Sequence, residues 1–141
     1  MVPLNFKLSK SIYVLSGDLE LDLHNDYDLK EVVAREGDNV CHIKLTRNDA
    51  PHVDASNPAE IVFEITGVES YREESGREDA SELDKQTLEE IAFWTNEDWC
   101  TSPFVTEEID PEWEWIFMLE SDHWYRIKAR DIKLILPNNS W

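Results

Sequence analysis

The side chains able to do chemistry in this 141-residue chain are four histidines, two cysteines and thirty-one carboxylates. The nearest thing to a metal site is Asp22, His24, Asp26 and Asp28. Histidine and cysteine centres use local pairs such as HxH, HExxH or CxxC, and none occurs. The acids around His24 also lack the glycine and terminal glutamate of a calcium loop. Cys41 and Cys100 are nucleophile candidates with His42 or His123 as base. No local cation activates either thiol, and acidic surroundings oppose a thiolate. Glu112 and Glu114, two apart on one strand face, are the residue types of a glycosidase acid and base, but any exposed strand face gives that spacing. Gly17, Gly37, Gly67 and Gly76 are scattered and form no phosphate-binding loop. The expectation is a protein that is not an enzyme and uses no metal or cofactor.

Charge is the stronger signal. The formal net charge is −18. Between Lys85 and Arg126 there is no lysine or arginine, but there are eleven carboxylates and five of the six tryptophans. Large rings must be buried or bound, while unpaired carboxylates resist burial. The stretch therefore supplies core aromatics on one side and a negative field on the other. The predicted partner-binding residues are Glu97, Asp98, Trp99, Glu107, Glu108, Asp110, Glu112 and Glu114, with Trp99 as apolar anchor. Such a field steers a basic protein partner and repels nucleic acid and anionic membrane. Arg126, Lys128, Arg130 and Lys133 follow it. Arg126 or Lys128 is expected to lie across from Glu112 or Glu114 on neighbouring strands.

The elements that hold these residues read mostly as strands. Ser11–Leu15 and Leu19–Leu23, around the turn Ser16-Gly17-Asp18, form an N-terminal hairpin. Residues 26–47 admit a helix over Asp28–Glu36 or a hairpin of Leu29–Arg35 and Val40–Thr46. Adjacent Val32 and Val33 and the Gly37-Asp38 turn favour the hairpin. Glu60–Tyr71 is a strand with a bulge or close approach at Gly67. Arg72–Glu82 is a polar loop. Leu83–Thr95, with Leu88, Ile91 and Ala92 at i, i+3, i+4 and a Ser81/Asp84 cap, reads as one amphipathic helix. Glu112–Glu120 and Trp124–Leu136 are strands, the first placing Trp113, Trp115, Phe117 and Leu119 inward and the second broken near Asp131-Ile132. The predicted fold is a single α+β domain: about seven mainly antiparallel strands, as a curved sheet or sandwich, with a helix near 83–95 packed on it.

The runs Asp26-Tyr27-Asp28-Leu29, Arg35-Glu36-Gly37-Asp38, Cys41-His42-Ile43-Lys44-Leu45 and Ile61-Val62-Phe63-Glu64-Ile65-Thr66-Gly67-Val68 resemble small strand-rich bacterial domains. Some of these are classed as immunity proteins of polymorphic toxin systems. The resemblance spans 26–71 and carries no matched motif. It implies an intracellular protein that binds and blocks a cognate toxin. The residues themselves show no signal peptide and no apolar stretch of about 20 residues that would span a membrane, so the expected compartment is a reducing cytoplasm. Two functional expectations follow: an acidic inhibitor that occludes a basic toxin or enzyme, or a β-sheet domain binding a small ligand in an aromatic-lined cavity.

Overall fold

The computed structural model describes residues 2–10, 12–34, 39–94, 112 and 114–136. Over these residues the chain is all-β. Its ten strands are β1 (Val2–Pro3), β2 (Lys7–Ser9), β3 (Tyr13–Ser16), β4 (Leu19–Asp22), β5 (Tyr27–Ala34), β6 (Val40–Arg47), β7 (Glu60–Glu74), β8 (Leu88–Trp94), β9 (Glu114–Leu119) and β10 (Trp124–Ile135). The α+β expectation is overturned. The segment expected as a packed helix near 83–95 is strand β8, paired antiparallel with β9 from Leu88↔Leu119 to Trp94↔Glu114.

The reason for that correction is local. Ser81 does cap a turn: its Oγ accepts from the Asp84 N–H at 3.1 Å. Gln86 and Thr87 N–H then both donate to the Leu83 carbonyl at 3.0 Å. The turn goes no further: the Leu88 carbonyl is taken by the His24 ring at 2.5 Å, and from Leu88 the chain pairs with β9 instead. Beyond it Ile91, Ala92 and Phe93 are all buried. A strand covered on both faces loses its alternation, and its apolar run then mimics helical spacing.

The main sheet runs β5-β6-β7-β10-β9-β8, with β1 added parallel to β10. It curls until its two ends approach, where the Leu29 N–H donates to the Gln86 carbonyl at 2.8 Å. Register shifts fall beside that contact on both edges, between Leu29 and Glu31 on β5 and between Leu88 and Glu90 on β8. Bulges of this kind bend a strand and sharpen its twist. The hairpin reading of 26–47 is what the chain adopts, with Leu29↔Leu45 and Val32↔Ile43 in register. Gly67 (φ +71°) marks a close approach: a Cβ there would lie 2.8 Å from the Arg130 Cβ. Near it the inward alternation of β10 skips from Ala129 to Ile132.

A second sheet, β2-β3-β4, adds its inward residues to the same core. Leu8, Val14, Leu21 and Leu23 join Ile43, Leu45, Phe63, Trp115, Phe117 and Ile127 in one cluster. At its centre Phe6 meets Phe63 and Trp115 edge-on, with centroids 5.5 and 6.0 Å away. Phe93 meets Trp115 from the other side at 5.3 Å. These rings fill the interior against one another.

Candidate interaction surface

Of the predicted partner residues, Glu97, Asp98, Trp99, Glu107, Glu108 and Asp110 lie outside the described residues. Glu112 and Glu114 are described, and both are engaged within the fold. Lys128 Nζ donates to Glu112 at 2.9 Å. Glu114 is buried beneath two guanidiniums: Arg126 Nε donates to its Oε2, and Arg72 Nη2 approaches the same oxygen at 3.4 Å. The β9–β10 charge pairing expected from the sequence is therefore present. It turns Glu114 from a partner-facing group into a structural one, because a carboxylate held by two cations has little charge left to offer.

A denser exposed acidic surface is built by residues 73–90 and the turn 120–123. Together they carry ten carboxylates, with Arg77 and Lys85 as their only lysine or arginine. The loop between β7 and β8 packs onto the β9–β10 turn. The Arg77 N–H donates to the Ser121 carbonyl at 2.7 Å, Ser121 N–H to Asp84 O at 3.1 Å and Glu120 N–H to Thr87 O at 2.8 Å. Gly76 permits the approach, since a Cβ there would sit 2.2 Å from the Ser121 carbonyl oxygen and 2.6 Å from His123 N. Only glycine allows backbones so close.

Arg77 is the hub of this surface. Its guanidinium lies 3.1 Å from Asp122 and 3.9 Å from both Asp79 and Asp84, and donates to the Glu120 carbonyl at 3.1 Å. One cation among three carboxylates leaves the group negative. Glu82 and Asp79 side chains are each 85% exposed. Next to Glu82, Leu83 projects, 66% exposed and the most exposed large apolar side chain among the described residues. Glu89 adjoins the group. Its carboxyl is held above the usual range by partial burial and then by the charges of Glu120 and Asp122, while Glu90 is raised by burial and by Glu89.

The inner side of the same end is polar–aromatic. Glu73 accepts from the Tyr71 hydroxyl at 2.9 Å and pairs with His123 Nε2 at 2.9 Å. His123 in turn stacks on Tyr125 with centroids 4.8 Å apart. No group of three or more histidine, cysteine, aspartate or glutamate side chains among the described residues is arranged to hold a metal ion. No helix among them is long and apolar enough to cross a membrane.

Reading by residue type missed this surface because Arg72–Glu82 looked like an ordinary solvated loop and Leu83 looked like the start of a helix. The usable signal was a leucine isolated among Glu78, Asp79, Glu82 and Asp84 without the periodic partners a helix needs. Comparison with protein-family models, with curated proteins and with solved structures gives no match for the chain.

Proposed function

We propose that the protein is an acidic interaction module that binds a basic protein, acting as an inhibitor that occludes a cationic surface or active site in a reducing cytoplasm. The observation that carries this reading is Leu83, exposed at the crest of a loop that is rich in carboxylates and locked by hydrogen bonds to the β9–β10 turn. An apolar anchor ringed by like charge is the arrangement a basic partner with an apolar socket would fit: charge speeds encounter and the anchor slows release. The carboxylates between 97 and 110 continue the same negative run in sequence. A cognate toxin of the kind suggested by the resemblance at 26–71 is one such partner.

The test is capture of basic proteins from a lysate on the immobilised chain, followed by kinetics with the protein identified. The triple variant Glu78→Lys, Asp79→Lys, Glu82→Lys is expected to cut the association rate by about tenfold or more at low salt. Leu83→Asp is expected to raise the dissociation rate. If neither variant alters binding of a captured partner, this surface is not the interface.

A further inference from the structure

The opposite chemistry occupies the N-terminal end. Residues 2–17 contain Lys7 and Lys10 and no carboxylate, in a chain that has thirty-one. Pro3, Leu4, Phe6, Lys7, Leu15 and Gly17 line a surface crevice of about 510 Å³. Leu4 is 56% exposed and Val2 beside it 43%. Lys7 lies across from Leu15 in the β2–β3 ladder and makes no ion pair among the described residues.

The crevice is preformed. One wall is pinned to β10 by the Leu4 N–H, which donates to the Ile132 carbonyl at 2.9 Å. Asn5 reinforces it from both ends of its amide: Nδ2 donates to the Leu134 carbonyl and Oδ1 accepts from the Leu134 N–H, each at 2.8 Å. The other wall is the β3–β4 turn, where Ser16 Oγ donates to the Asn5 carbonyl at 2.9 Å. Gly17 (φ +57°) leaves the space beside the turn open, with no atom within 4 Å of where a Cβ would stand.

We infer that this crevice binds a small amphiphilic carboxylate, its aliphatic chain along Leu4 and Leu15 and its carboxylate on Lys7. The volume suits a small ligand. Charge selects the headgroup: Lys7 is the charged residue lining the crevice, and Glu20, opposite Leu15 in the β3–β4 ladder, stands two strands from Lys7, about 10 Å, where physiological salt screens it. Asp18, the nearest acid in sequence, is exposed and is not among the lining residues.

The test is a titration of the isotope-labelled full chain with sodium octanoate, followed by amide NMR shifts, with octylammonium as the charge-reversed control. Octanoate is expected to move the Leu4, Lys7, Leu15 and Gly17 signals saturably, and octylammonium to leave them in place. Lys7→Glu should weaken octanoate binding about tenfold, whereas Lys7→Arg should retain it, because the site needs a positive charge. Both variants sit at an exposed position, so folding is preserved. Absence of saturable shifts, equal response to octylammonium, or unaltered binding by Lys7→Glu would each overturn the proposal. The outcome does not depend on the acidic end, which this experiment leaves untouched.

Discussion

Tyr27, Cys41, Glu114 and Ser121 show how single side chains carry structure here. The Tyr27 hydroxyl donates to the Pro58 carbonyl at 2.7 Å in the buried interior, and burial pushes its pKa up to about 12. Tyr27→Phe leaves that carbonyl unsatisfied and should cost about 1–2 kcal/mol in a denaturant melt. Ser121 is the converse. Its Oγ is buried without a hydrogen-bond partner, so Ser121→Ala should be neutral or slightly stabilising in the same assay. Glu114→Ala removes the carboxylate shared by Arg72 and Arg126 and should cost on the order of 3 kcal/mol. Burial raises the Cys41 thiol to about 11. An alkylating reagent should leave the Cys41 peptide unmodified in the native protein and modify it after unfolding, as read by mass spectrometry. The inward set Cys41, Ile43, Leu45 and Ile61, Phe63, Ile65 was legible in the sequence because strict alternation has one physical cause, a sheet with one face buried.

At the level of elements, legibility followed the same rule and failed where the rule does. β6 and β10 alternate in burial, and the sequence shows them. β9 is buried on both faces from Glu114 to Phe117 but was still legible, because Glu112 and Glu114 interrupt its apolar run. β8 does not alternate, because Ile91, Ala92 and Phe93 are covered on both faces, and it was read as a helix. The short β1 and β2 carry too few residues for any period, and β1 exists because β10 offers it an edge at Asp131 and Ile132. The acidic surface was illegible for a different reason: residues 73–90 and 120–123 come together only through backbone bonds between a loop and a turn. Gly76 is the residue on which that contact rests. Gly76→Ala puts a methyl group against two backbone atoms that cannot give way independently. It should destabilise the fold by roughly 1–3 kcal/mol. Hydrogen exchange should show the lost protection concentrated at the Arg77, Glu120 and Ser121 amides.

The whole molecule is divided by charge, with a carboxylate-free N-terminal segment and ten carboxylates in the loop and turn that make up the acidic surface. Asp28, Glu89 and Glu90 are all raised above their ordinary range, chiefly by burial. A carboxyl raised in the folded state binds more protons than in the unfolded chain. Its contribution to stability is therefore full below the unfolded pKa and is lost as pH rises through the folded one. Unfolding midpoints should thus rise as pH is lowered from 7 towards the ordinary carboxylate range, and added salt should raise them at pH 7 by screening the net charge. Asp54 runs the other way: bonds from the Ser56 N–H and hydroxyl hold it low, so its contribution disappears only at more acidic pH. Binding of a basic partner should weaken as pH falls, because Glu89 and Glu90, raised by burial, lose charge before ordinary carboxylates do.

The seam between β1 and β10 has a temporal side. Val2 pairs with Asp131, Leu4 with Ile132 and Asn5 with Leu134, so contacts across nearly the entire chain hold one wall of the structure. Closing such a loop costs entropy before any contact repays it, and topologies dominated by distant pairings fold in milliseconds to seconds. On the ribosome residues 2–5 must wait for residues 131–134 before they find their place. Through that interval Phe6, buried in the finished fold, stays uncovered, and the chain's like charges, which keep nascent copies apart, protect it until the seam can zip.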